Sequence, residues 1–121
     1  MLQLAHVLVA IAALIHIGLM IAEMFFWKQP IVHQRLGYKE PDATKVAPIV
    51  ANAGLYNGFI ASGLVWGLIS DAQHYAISIF FLACVIIAGL YGAVTLRPTT
   101  LIIQTLPGIA ALICVWLSRP I

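Results

Sequence analysis

The sequence predicts an all-α integral membrane protein: one domain over residues 1–121, built as an up-down bundle of four transmembrane helices. Two observations lead there. Hydrophobic residues make up 63% of the chain and charged residues only 8%, whereas a soluble domain carries about a quarter charged residues. A globule of this size could not hide so much apolar surface, so a lipid bilayer is its expected partner. The apolar residues also gather into four stretches, near 3–27, 47–69, 75–96 and 99–118. Each approaches the roughly 20 residues that a helix needs to cross a hydrocarbon core of about 30 Å.

The first stretch reads as a helix that stays in the membrane. It has no basic leading region and no A-x-A-like cleavage site, and it is long for a signal peptide. A polar loop over 28–46 follows, broken by Pro30, Gly37 and Pro41. "SDAQH" links the second and third spans, and "RPTT" the third and fourth, where Arg97-Pro98 stops one helix before the next begins. Such short connections make neighbouring helices antiparallel. The cations orient the bundle: Lys28, Arg35, Lys39, Lys45 and Arg97 lie at one end and only Arg119 at the other. The rule that cytoplasmic loops hold the excess of Lys and Arg puts the long loop in the cytoplasm and both termini outside. With a formal charge of only +2, nothing suggests nucleic-acid binding.

The second span carries "NAGLYNGFIASGL". Gly54, Gly58 and Ser62 recur every four residues, a row that lets helix backbones approach closely in lipid. The row is expected to pack inside the bundle or to join two copies as a homodimer. Asn52 and Asn57 are costly against lipid without hydrogen-bond partners. One amide is explained by structural glue; two amides and Tyr56 within six residues suggest a polar interior. At 1.5 Å per residue, Glu23, Asn52, Tyr91 and Gln104 all come out roughly 6–9 Å deep from the cytoplasmic end, on four different helices. Tyr56 and Asn57 lie about one turn deeper, and His16 near mid-membrane at roughly 17 Å.

In the first span His16, Met20, Glu23 and Trp27 share one helical face. Ionisable groups within a span are functional candidates. Glu23 reads either as a site carboxylate or as a near-interface group paired with Lys28, and His16 as a site group or as a neutral histidine bonded to a neighbouring carbonyl. His6, His33 and His74 are expected in surface roles. Pro107 removes a backbone donor and frees the Ile103 carbonyl beside Gln104. Cys84 and Cys114 form neither a CxxC pair nor a metal-like cluster, and they read as inert thiols. Neither metal nor cofactor is expected.

"HIGLMIAEMFFW" (16–27), "NAGLYNGFIASGL" (52–64), "AGLYGA" (88–93) and "QTLPGIAAL" (104–112) together resemble a family of small bacterial four-helix membrane proteins of unknown function. The resemblance covers nearly the whole chain and rests on the Asn-x-Gly-Leu-Tyr-Asn-Gly string. Ala53 stands where the family pattern has Gln. It implies the four-span topology, a bacterial inner-membrane location and the same polar residues, and it brings no established activity. The expected function is therefore a polar intramembrane pocket, open to the cytoplasm, that binds a small molecule or a proton in the manner of a carrier. Its lining would be His16, Met20, Glu23, Trp27, Asn52, Tyr56, Asn57, Tyr91 and Gln104. A membrane enzyme using acid–base chemistry on a lipid-soluble substrate, and a structural subunit, remain the alternatives.

Overall fold

A computed structural model describes residues 1–120. Its elements are α1 (Leu2–Phe25), a short α2 (Pro30–His33) running into a 3₁₀ turn (Gln34–Leu36), α3 (Asp42–Ile69), α4 (His74–Thr95), and a π turn (Leu101–Thr105) that continues as α5 (Leu106–Leu117). No strand is present among the described residues. Helices α1, α3 and α4 are long and apolar enough to cross a membrane; the apolar helical segment Leu101–Leu117 is shorter.

The helix ends follow from local chemistry. Pro30 opens α2 at a position where its missing N–H costs nothing. Gly37, at φ 82°, closes the 3₁₀ turn in a left-handed conformation that suits glycine. Asp42 sits in the first turn of α3, where a carboxylate meets the positive end of the helix dipole. Pro98 stops α4 from continuing. Pro107 cannot donate to the Ile103 carbonyl, and the backbone widens into the π turn immediately upstream.

The long elements pack in the cyclic order α1, α3, α4, α5, each against its two neighbours. The apolar core lies toward the end that holds the chain termini: Ala5, Val9, Ala12 and Ala13 of α1 meet Leu64 of α3, Leu82 and Val85 of α4, and Ala111 and Val115 of α5. Small residues set the spacing elsewhere. Gly63 lies under the Phe81 ring, Gly67 against Ser78, Gly89 against Thr105, and Gly108 against Val85 and Ile86. The Tyr75 hydroxyl donates to the Ser118 carbonyl (2.8 Å), tying the first turn of α4 to the end of α5.

At the opposite end the 28–46 segment folds into a cap around Trp27, which is only 3% exposed. The indole N–H donates to the Ala43 carbonyl at 2.8 Å. Tyr38 stacks edge-on against the same ring (5.6 Å), and His33 donates from Nδ1 to the Tyr38 carbonyl at 2.9 Å. Arg97, from the α4–π connection, lays its guanidinium against Gly37. His33 and His74, expected at the surface, are both buried. Each has a backbone carbonyl to receive its Nδ1–H, and for His74 this is Gly67, 2.7 Å away.

Candidate functional site

The inward face of α1 carries Ala5, Val9, Ala12, His16, Met20 and Glu23 in one helical stripe. Down this stripe the bundle changes character. Near the termini it is dry and apolar. Below His16, α1 turns Met20 and Glu23 toward α3, and α3 answers with Gly54, Asn57 and Gly58. A Cβ placed on Gly58 would lie 2.7 Å from the Met20 sulfur, and one on Gly54 would lie 2.9 Å from the Glu23 Cβ. The two helices are therefore in close contact here. Gly54 and Gly58 serve this contact within the chain. Ser62, the third member of their row, lies on the outer surface with its hydroxyl bonded back to the Gly58 carbonyl (2.9 Å).

At this contact the Asn57 amide donates to Glu23 Oε2 at 2.8 Å. The bond joins residues that differ by about one turn in depth, and side-chain direction explains how. A helical Cα–Cβ bond tilts toward the helix N-terminus. The two helices are antiparallel, so Glu23 leans toward the core while Asn57 leans toward the loops, and they meet. His16, one stripe position above Met20, is buried and donates from Nδ1 to the Ala12 carbonyl at 2.9 Å. That bond leaves Nε2 as the ring's remaining polar atom.

The other candidates occupy different surroundings. Trp27 belongs to the loop cap. Gln104 is half-buried, its Cβ beside Gly89 at the α4–α5 contact. Asn52, Tyr56 (60% exposed) and Tyr91 (71% exposed) lie on the outer surface. Equal depth thus does not bring Glu23, Asn52, Tyr91 and Gln104 into one layer.

The exposed three do share a setting. Asn52, Tyr56, Gly63 and Gly67 occupy one face of α3, and Ile77, Phe81, Ala88 and Tyr91 one face of α4. Gly63 and Gly67 press on Phe81, Ile77 and Ser78, so these are the facing surfaces of the two helices. Yet Asn52, Tyr56, Ala88 and Tyr91 are exposed. The α3–α4 interface is closed near the 70–73 turn, and toward the loop end the two faces leave these side chains uncovered. Asn52 and Tyr91 stand at matching heights in this uncovered part, each roughly 21 Å along its helix from the closed contact. Among the described residues no three His, Cys, Asp or Glu side chains converge as metal ligands would.

Sequence reasoning missed the cap and the uncovered faces. An indole N–H seeks a partner when buried, so Trp27, next to a polar loop, was a signal for the cap. The uncovered faces depend on how the helices are rotated and tilted, which depth does not report.

These features define an all-helical chain with three membrane-length helices, packed through glycines beside an interhelical carboxylate–amide pair. Residues 10–116 match the family described as "Protein of unknown function (DUF1304)", and the chain belongs to that family. It is similar to uncharacterized protein YpaA of Lactococcus lactis subsp. lactis (strain IL1403), 30% identical over 78 residues; these cover 64% of this chain and 66%, just under two thirds, of YpaA. No solved structure matches it.

Proposed function

We propose that the protein crosses the bacterial inner membrane four times, with both termini periplasmic and the 28–46 cap cytoplasmic, and binds a small amphipathic molecule or a proton through a polar site that opens toward the cytoplasm. One observation carries the reading: the Glu23 carboxylate, within a membrane-length helix, is held by Asn57 of a second such helix. An ionisable group at such a position is expensive and marks a functional site by default. Structural glue alone would be served as well by a neutral amide. Large apolar side chains are exposed along the helices, Leu14, Ile69, Ile87 and Val94 among them, as lipid-facing residues would be. The cations gathered at the cap end support the orientation.

In this reading the closed, apolar end seals the site from the periplasm, and Asn52, Tyr56 and Tyr91 form its entrance between α3 and α4. The Gly54–Gly58 contact holds Glu23 and Asn57 in register. The test is an experimental structure in lipid nanodiscs prepared without stripping native lipids. Density for a bound molecule reaching from the entrance to Glu23 and Asn57 is the expected result. Close-packed side chains with the entrance shut would make the pair structural and overturn the proposal.

A further inference from the structure

The cap holds a feature that the Glu23 site does not use. A cavity of about 550 Å³ is lined by Gly37, Tyr38, Lys39, Asp42, Lys45 and Val46. Two cations, Lys39 and Lys45, thus line one cavity, against one lining carboxylate. Asp42 accepts from Lys45 at 3.1 Å, but both side chains are 70% exposed, and so exposed a pair holds weakly and yields to a stronger anion. Glu40 does not line the cavity; its carboxylate accepts from the Thr44 hydroxyl (2.8 Å).

The location says what kind of anion fits. Lys45 stands where the polar first turn of α3 gives way to the apolar run from Val46 onward, which is headgroup depth for a crossing helix. Lys45, Asn52 and Tyr56 also lie on one face of α3, the face that turns toward α4 and is exposed there. A phosphate held at Lys45 would therefore have that exposed face directly beneath it. Compact ammonium groups suit a phosphate as point charges.

We propose that this cavity holds the phosphate of an anionic lipid from the cytoplasmic leaflet, with the lipid's apolar chain lying in the opening between α3 and α4. This rests on the reading above for where the chain lies, and it names the ligand class: a phosphate-headed amphiphile.

The experiment measures binding of dioleoylphosphatidylglycerol to the whole protein in neutral maltoside micelles by native mass spectrometry. Dioleoylglycerol, which has the same chains without phosphate, and inorganic phosphate are the comparators. Saturable binding of the phosphatidylglycerol is expected, with no displacement by equimolar inorganic phosphate. The exposed double variant Lys39→Gln/Lys45→Gln should weaken it about tenfold and leave dioleoylglycerol binding unchanged. Equal binding by wild type and double variant would overturn the phosphate site. Displacement by inorganic phosphate would show that the cavity takes a free anion, and would overturn the lipid assignment. Ala88→Trp, a substitution at an exposed wall of the opening, separates the two proposals. Loss of both lipids in this variant supports the placement of the chain. Phosphatidylglycerol binding that survives Ala88→Trp but not the lysine substitutions would overturn the role of the opening and leave the phosphate site standing.

Discussion

Gly54→Ala should destabilise the protein, although alanine is the better helix former. The added methyl carbon would lie 2.8 Å from Met24 Cγ, 2.9 Å from Glu23 Cβ and 3.2 Å from the Met20 carbonyl oxygen. The methionine can swing away. The other two atoms cannot, because one is fixed to the α1 backbone and the other belongs to it. Helices α1 and α3 must separate, which loosens the Asn57–Glu23 bond one turn further along. Overpacking of this kind costs about 1–3 kcal/mol, against which the glycine-to-alanine exchange returns up to about 1 kcal/mol of helix propensity. A net loss of up to roughly 2 kcal/mol follows from that balance. Gly18→Ala is the matched control: nothing lies within 4 Å of its added carbon, so it should be neutral or stabilising by up to about 1 kcal/mol. Reversible unfolding by sodium dodecyl sulfate in mixed micelles, followed by circular dichroism, measures both. If Gly54→Ala proves as stable as Gly18→Ala, α1 and α3 do not touch at Gly54, and the placement of Glu23 against α3 falls with that contact.

Other perturbations address the cap and the orientation. Trp27→Phe keeps the ring but removes the donor to the Ala43 carbonyl, a loss of about 1–2 kcal/mol; trypsin should then cut within 28–46 faster than in the wild type, and an unchanged rate would mean the bond does not hold the cap. Gly37→Ala must place a side chain at φ 82° and push Arg97 aside, costing upward of about 1 kcal/mol and giving the same protease phenotype; wild-type resistance would contradict this geometry. For orientation, Asp71→Cys should react with a membrane-impermeant maleimide in intact spheroplasts, whereas Lys28→Cys should react only after permeabilisation. The reverse pattern would invert the topology.

The sequence carried the long helices to within a few residues, with one instructive exception. The second span was expected from residue 47, yet α3 begins at Asp42. Hydropathy marks where lipid contact starts, and a helix can begin in the headgroup region before that. Pro107 announced an irregular last helix, and the π turn over Leu101–Thr105 is the form it takes. Within the site, Glu23 and Asn57 were both legible as polar groups out of place in a span. Their bond was not, because it depends on opposite side-chain tilts in antiparallel helices. Asn52 and Asn57 show the complementary limit. Five residues apart on one helix, they differ by about 140° in direction, so one faces α1 while the other lies on the exposed face that turns toward α4.

In the proposed function the Glu23 carboxylate serves binding and not architecture. Glu23→Gln tests it most directly, because a glutamine keeps the shape and one acceptor for the Asn57 amide and removes only the ionisable group. Wild type and variant, purified side by side from native membranes, would be compared by native mass spectrometry for co-purifying small molecules and by detergent unfolding for stability. Their unfolding free energies should lie within about 1 kcal/mol of each other, and a species bound to the wild type should be missing from the variant. A variant that retains the same bound species, or one that loses stability while binding is unaffected, would contradict the binding role.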